Sequence, residues 1–94
     1  MPRLVLTPRF ARSFRRLVRK NPSLQPRIEQ ALRRMEGNFD DPKLKTHHLS
    51  GDLAGLYACS CAYDCRIVFG KEKGLRRNEV VLTLIDIGSH DEVY

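Results

Sequence analysis

The first third of the chain repeats its apolar residues at helical spacing. A short apolar run at residues 4–6 predicts a first strand, and the Thr7 and Pro8 that follow are typical of an N-cap and a first helical turn. Apolar residues then recur at i, i+4, i+7 and i+8 up to Asn21-Pro22, which predicts an amphipathic helix ending near Lys20. This apolar stripe consists of Phe10, Phe14, Leu17 and Val18.

A second amphipathic helix is predicted between Ser23, a suitable N-cap, and the Gly37-Asn38 pair, which is typical of a helix end. Because the link between the two helices is short, they should form an antiparallel hairpin packed on a flat surface. Residues 39–50 predict an extended connector on the surface. The apolar stripe of this second helix consists of Ile28, Ala31, Leu32 and Met35.

The remainder of the chain has the composition of strands. Residues 55–61 and 65–71 flank a turn at 62–64 and predict a β-hairpin. The run from residue 79 or 80 to 87 is apolar on both faces, which indicates a central strand, and Gly88 ends it. The order β-α-α-β-β-β predicts one α+β domain, 1–94, in which the helical hairpin covers one face of a mainly antiparallel four-stranded sheet. The other face is left free as a working surface.

The net charge of +6 is concentrated in the predicted helices. Residues 1–37 contain ten Lys or Arg against two Glu, a local charge of +8, whereas residues 38–94 contain seven basic and nine acidic residues. The helical part therefore presents a cationic surface, which suits a polyanion or an acidic protein partner. A solvated helix face with no partner is the other interpretation of this pattern.

Composition also bears on the compartment. The hydrophobic share of 41% and the charged share of 30% are ordinary for a folded soluble protein. No apolar run approaches the roughly 18 residues of a membrane span, and the first residues lack the pattern of a secretory signal. We therefore expect a cytoplasmic protein with no membrane partner.

Three cysteines, Cys59, Cys61 and Cys65, lie within seven residues. In the cytoplasm they should be reduced thiols, and Cys59 and Cys61, on the same face of a strand, are poorly placed to pair with each other. A disulfide framework is therefore not expected. Structural zinc sites favour Cys-x-x-Cys knuckles on tight turns, and this spacing across a strand and a turn fits them poorly. We expect neither a metal nor a cofactor.

Candidate chemistry lies in the connector, at the hairpin turn and after the last strand. The chain has no Gly-rich phosphate loop and no nucleophile elbow. Metal-independent cleavage of RNA fits better, because it needs a group to take the 2′-hydroxyl proton, a cation for the phosphate and an acid for the leaving 5′-oxygen. Histidine serves either proton role and arginine suits the phosphate. The candidate residues are His47, Asp64, Arg66, His90 and Tyr94.

Three segments in this order resemble the RelE/ParE toxin superfamily, and most closely its YafQ-type branch: 47–57 (HHLSGDLAGLY), 63–69 (YDCRIVF) and 86–94 (DIGSHDEVY). The resemblance implies the toxin of a type II toxin–antitoxin system, an mRNA interferase that cuts mRNA in the ribosomal A site by attack of the ribose 2′-oxygen on the adjacent phosphate. It also implies three partners, namely ribosomal RNA, mRNA and a cognate acidic antitoxin. Operator DNA would be bound only through that antitoxin.

The resemblance also implies roles for single residues. His90 matches the general acid of the YafQ-type branch, and Arg66 matches a phosphate-binding arginine of the RelE branch. Asp64 matches an acidic position at the hairpin turn. Tyr94 matches a closing aromatic residue that stacks on or orients the nucleotide. His47 matches a histidine that serves as a base or a phosphate contact.

The chain departs from the family pattern on the strand before the hairpin turn. YafQ-type proteins carry an acid and a histidine where this chain has Ala58 and Ser60. The lysines that RelE places on this strand are also absent, and Tyr57 and Cys59 lie near those positions. Proton abstraction therefore falls to His47 by elimination, and the neighbouring His48 could contribute. Two alternatives follow, namely a ParE-type toxin that binds and inhibits DNA gyrase without nuclease activity, or a decayed toxin that only binds its antitoxin.

Overall fold

Three helices and five strands follow one another in the computed structural model, which describes residues 2–94. Single 3₁₀ turns at Pro42–Leu44 and Gly51–Leu53 flank the second strand. The elements are β1 (Arg3–Leu6), α1 (Pro8–Lys20), α2 (Leu24–Asn38), β2 (His47–His48), β3 (Tyr57–Ala62), β4 (Cys65–Lys73), β5 (Val80–Gly88) and α3 (His90–Val93).

The strands form one mixed sheet in the order β1-β5-β4-β3-β2. β1 runs parallel to β5, with Arg3 beside Val81, and all other neighbours are antiparallel. β5 therefore lies between β1 and β4, which confirms that it is a central strand. The predicted α+β architecture, with the helical hairpin on the sheet, is confirmed.

Thr7 fixes the start of α1 and joins it to β5. Its hydroxyl accepts a hydrogen bond from the backbone N–H of Phe10 at 3.1 Å, as an N-cap does, and donates to the carbonyl oxygen of Leu84 at 2.8 Å. Pro8 occupies the first helical turn, where its missing N–H costs nothing. The same short segment thus ends β1, begins α1 and holds both against the central strand.

The hydrophobic core lies between the two helices and one face of the sheet. The predicted stripes contribute to it, with Phe10, Ile28 and Met35 nearly inaccessible to solvent. Burying one such side chain stabilises the folded state by about 1.5–3 kcal/mol. The sheet contributes Cys59, Cys65, Ile67, Phe69, Leu82, Leu84 and Ile87.

The connector between α2 and β3 differs from the expected extended surface segment. Leu44 is fully buried in the core, and Asp41 caps its 3₁₀ turn by accepting from the N–H of Lys43 at 2.9 Å. His47–His48 then pairs with β3 as a fifth, two-residue edge strand, so the sheet has one strand more than the four expected. The sequence signal was weak because the few apolar residues of the segment follow no regular period, although one of them, Leu44, is fully buried.

The expectation of reduced cysteines without a disulfide is wrong, because Cys61 and Cys65 form one. The two residues flank the hairpin turn, and the register of β3 and β4 shifts between Ser60 and Ala62. This irregularity brings their Cα atoms to 5.5 Å, within the range that a disulfide spans. Strand geometry disfavours a bond between Cys59 and Cys61 but not one across the hairpin turn, and Cys59 is a free, buried thiol.

No helix within residues 2–94 is both long enough and apolar enough to cross a membrane.

Candidate active site

Residues directly opposite each other on neighbouring strands share a face of the sheet, which assigns the side chains to two faces. Cys59 and Ile67 are such partners and belong to the core beneath the helices. The alternate residues point to the other side, called here the second face. One row of the second face consists of Ser60, Arg66 and Gly88, and the next of His47, Ala58, Val68 and Asp86.

Arg66 is the half-buried cation of the second face. Its Nη1 donates to the carbonyl oxygen of Cys65 at 3.3 Å, which holds the side chain near the hairpin turn. Its cross-strand neighbours are the small Ser60 and the side-chain-free Gly88. Within residues 2–94, no carboxylate lies within 4.0 Å of the guanidinium. The group is therefore free to bind an anion.

Asp64 joins the hairpin turn to the segment after β5. It adopts a positive φ of 50°, a conformation that Asp tolerates better than most residues. Its Oδ1 accepts a hydrogen bond from the backbone N–H of His90 at 3.1 Å. This bond satisfies a free N–H at the start of α3 and positions that turn of helix beside β4.

The segment after β5 is a capped helical turn, where the sequence predicted only an end of the strand. Ser89 accepts from the N–H of Glu92 at 3.3 Å, and Glu92 in turn accepts from the N–H of Ser89 at 2.9 Å, a capping box. The hydrogen bonds that the backbone and side chain of Ser89 make to the Glu92 carboxylate lower the pKa of Glu92. Gly88 allows the close return of the chain, because a Cβ there would meet Glu92 at 3.1 Å. The S-x-x-E pattern at residues 89–92 was the signal that could have predicted this turn.

His90 and Tyr94 lie on one side of α3, one helical turn apart. Their ring centroids are 4.6 Å apart in an edge-to-face arrangement. The His90 side chain is 63% exposed, and its Nδ1 is 3.7 Å from the Asp91 carboxylate. The imidazole is thus oriented by an aromatic neighbour yet accessible for proton transfer.

The Tyr94 phenol lies near Arg66. Burial raises the pKa of Tyr94 above its usual value of 10, and the positive charge of Arg66 partly opposes that increase. The phenol is therefore neutral at physiological pH. Tyr94 also borders a shallow depression of about 330 Å³ with residues of the 49–53 segment. An aromatic ring in such a position can stack on a base.

His47 lies apart from the other candidates. Its Nδ1 is 3.1 Å from the carbonyl oxygen of Lys45, and its side chain is exposed on the edge strand β2. At a strand spacing of about 4.8 Å, β2 is roughly 10 Å from β4, which carries Arg66. His48 points to the opposite side, with its ring 4.6 Å from that of Tyr57. The structure thus gathers Asp64, Arg66, His90 and Tyr94, but not His47.

A cleft of about 420 Å³ adjoins this group at the hairpin turn. We call it the cationic cleft, because it is lined by Arg34, Lys43, Lys45, Ser60, Cys61, Ala62, Tyr63, Asp64 and Arg66. Sequence reasoning missed its lysines and Arg34, which belong to elements distant in sequence from the turn. Within residues 2–94, no three His, Cys, Asp or Glu side chains gather as a metal-binding group.

No family model matches the sequence, and neither does any curated protein. Solved structures do match. A YoeB/ParE toxin from Agrobacterium tumefaciens is similar over 94% of this chain and 98% of its own, with 20% identity and a TM-score of 0.75. YafQ from E. coli is similar over 100% and 99%, with 11% identity and a TM-score of 0.73.

A third similar structure is the DinJ–YafQ toxin–antitoxin complex of E. coli, which matches over 97% of this chain and 94% of its own, with 13% identity and a TM-score of 0.69. Identities this low show a shared fold. The chain therefore has the fold of the YoeB/ParE and YafQ toxins, as its resemblance to the RelE/ParE superfamily implied.

Proposed function

We propose that this protein is the toxin of a type II toxin–antitoxin system, and that it cleaves mRNA on the ribosome without a metal. The observation that carries the proposal is the grouping of an accessible imidazole, an unpaired guanidinium and an aromatic ring around the start of β4. These groups match the needs of attack by a ribose 2′-oxygen on its adjacent phosphate. The toxin fold supports the same assignment.

Each gathered residue takes a distinct role in this proposal. Arg66 binds the non-bridging phosphate oxygens and stabilises the charge that builds up on them. His90 donates a proton to the leaving 5′-oxygen. Tyr94 orients the His90 ring and stacks on a base. Asp64 is a positioning residue, because its carboxylate binds the His90 backbone rather than the imidazole.

We assign proton abstraction from the 2′-hydroxyl to His47. Its side chain is exposed and lies on the second face, as that of Arg66 does. RNA that crosses this face from β4 to β2 would span the roughly 10 Å between the two strands. Because the 2′-oxygen and the leaving 5′-oxygen meet at the same phosphorus, this role for His47 requires the base and the acid to approach each other when RNA binds.

We further propose a cognate acidic antitoxin as the protein partner in the cytoplasm. The α1 surface, rich in arginine, suits an acidic segment that becomes ordered on binding. Operator DNA would be contacted only through that antitoxin. The DinJ–YafQ complex supports such a partner for this fold.

The test is cleavage of a defined mRNA by the purified chain in the presence of ribosomes. We expect His90→Ala to lower the cleavage rate about 10²–10⁴-fold, the usual contribution of a general acid. His47→Ala should lower it as well. His48→Ala is the matched control, because that ring faces away from the site and lies against Tyr57. Arg66→Ala is compared with Arg76→Ala, a cation of the β4–β5 loop.

Full cleavage by the His90→Ala variant would refute the assignment of the acid. Intact mRNA combined with inhibition of DNA gyrase supercoiling would favour the binding-only alternative, for which the distance of His47 from the other groups is the favouring observation. Antitoxin binding without either activity would identify a decayed toxin.

A further inference from the structure

We propose that the cationic cleft binds the phosphodiester backbone of single-stranded RNA next to the bond that is cut, and that Tyr63 stacks on one of its bases. The identity of the ligand rests on the proposed function. The site itself is defined by cations from three separate elements, which line one cleft and, within residues 2–94, have no carboxylate within 4.0 Å.

The fold holds in place the backbone that carries the cations of the cleft. Lys43 and Lys45 flank Leu44, whose fully buried side chain anchors the segment. Lys45 adopts a left-handed conformation with φ of 51°, and its N–H donates to the carbonyl oxygen of Pro42 at 3.2 Å. Arg34 projects from α2 beside the buried Met35. The backbone thus directs these side chains towards one volume.

These positive charges have no internal counter-ion. Within residues 2–94, none of Arg34, Lys43 and Lys45 has a carboxylate within 4.0 Å. The single acid that lines the cleft, Asp64, already accepts a hydrogen bond from the backbone of His90. Like charges gathered around a cleft of about 420 Å³ repel one another unless an anion enters. A chain of phosphates is the anion that would contact several of them together.

Tyr63 and Arg66 identify the ligand more closely. Tyr63 lines the cleft from the hairpin turn and is fully exposed, at 100%. An unburied aromatic ring beside unpaired cations is the combination by which proteins hold single-stranded nucleic acid. Arg66 lines the cleft and is also the residue proposed to bind the phosphate in the candidate active site. A strand bound in the cleft would therefore continue towards His90.

The test uses a fluorescent 2′-O-methyl RNA of about eight nucleotides, which cannot be cleaved and which matches the usual size of such sites. Its affinity for the full chain is measured by anisotropy at several salt concentrations. The double variant Lys43→Ala/Lys45→Ala should bind more weakly, with a salt slope smaller by about 1.4, since each phosphate contact with a single strand contributes about 0.7. Arg76→Ala/Arg77→Ala removes two cations from the β4–β5 loop at the other end of the sheet and should bind as the parent does.

Tyr63→Ala separates stacking from charge. We expect about a tenfold loss of affinity with an unchanged salt slope, and Tyr63→Phe should retain the affinity of the parent. Because the ring is fully exposed, its removal should leave the melting temperature unchanged. Circular dichroism of every variant verifies that it is folded.

Equal losses in the cleft and loop variants would overturn the proposal, since binding would then follow net charge alone. The proposal would also be overturned if the cleft variants lost affinity for an acidic peptide but bound RNA as the parent does, because the cleft would then belong to a protein partner. If the parent cleaves no mRNA but the cleft variants still lose RNA affinity, the proposed function fails and the cleft stands. If the parent cleaves mRNA but the cleft variants bind RNA as the parent does, the cleft proposal fails and the proposed function stands.

Discussion

Asp64 shows how the structural contacts of a residue can differ from those that its type suggests. Its type and position at the turn predicted a place in the site, and the structure places it at the hairpin turn, bonded to the segment after β5. Its carboxylate, however, binds the backbone N–H of His90, so it fixes the location of α3. The partner is 26 residues away in sequence, and local patterns do not reveal such a bond.

Cys59 is the residue whose chemistry its surroundings change most. Burial raises the pKa of Cys59 from 9.0 to about 12. Below about pH 9 the thiol is protonated in both the folded and the unfolded chain, and above it only the unfolded thiol ionises. The free energy of unfolding should therefore decrease as the pH rises from about 9 towards about 12. Urea unfolding at about pH 8 and about pH 10.5 measures this decrease.

The matched variant is Cys59→Ala, which should show a smaller decrease over the same interval, because its other titrating groups are those of the parent. If the free energy of unfolding depended on pH equally in the two proteins, the raised pKa of Cys59 would be contradicted. In the folded parent, iodoacetamide should modify Cys59 far more slowly than in the unfolded chain, since the thiolate is the reactive form.

At the scale of elements, the β3–β4 hairpin depends on the bond between Cys61 and Cys65. A loop this short, with a sequence separation of 4, removes only a modest amount of chain entropy. Reduction with dithiothreitol should lower the free energy of unfolding by about 2 kcal/mol. Chemical unfolding with and without the reductant measures the difference.

Cys61→Ser provides the control for this prediction. Its stability should approach that of the reduced parent and should not respond to dithiothreitol. If the reductant leaves the parent unchanged, the disulfide contributes nothing in solution.

At the scale of the whole molecule, the charges separate into a basic helical side and a nearly balanced sheet. Arg12, Arg15 and Arg19 are exposed on α1. If α1 docks on ribosomal RNA, affinity for ribosomes should decrease as salt increases, by about 0.7–0.9 in log K per log salt for each phosphate contact. The triple alanine variant should reduce that slope by about 2–3. Sedimentation with ribosomes at several salt concentrations measures it.

Alanine preserves the helix, so a loss of binding in this variant reports charge rather than folding. The variant Arg76→Ala/Arg77→Ala serves as the control, because it also replaces arginine by alanine but in the β4–β5 loop, away from α1. A ribosome affinity that does not depend on salt would contradict phosphate contacts by α1.

Sequence patterns predicted the helices and long strands because each follows one clear period and has recognisable end residues, such as Thr7-Pro8. They also singled out the residues that gather around β4. They did not predict the cationic cleft, because it depends on which segments meet in space. Leu44 illustrates the reason, since one buried side chain directs two lysines towards Arg34. The patterns did not predict the disulfide either, because the expectation of reduced thiols came from the compartment and not from the short hairpin that brings Cys61 and Cys65 together.

The parallel pairing of β1 with β5 has a consequence for the order of folding. The Thr7–Leu84 hydrogen bond joins residues 77 apart, and such non-local pairings form slowly because a long loop must close first. A chain synthesised only as far as β4 lacks both the strand that β1 requires and His90. The packing of α1 on the sheet and the candidate active site are therefore completed in the same late step, and a partial chain has neither.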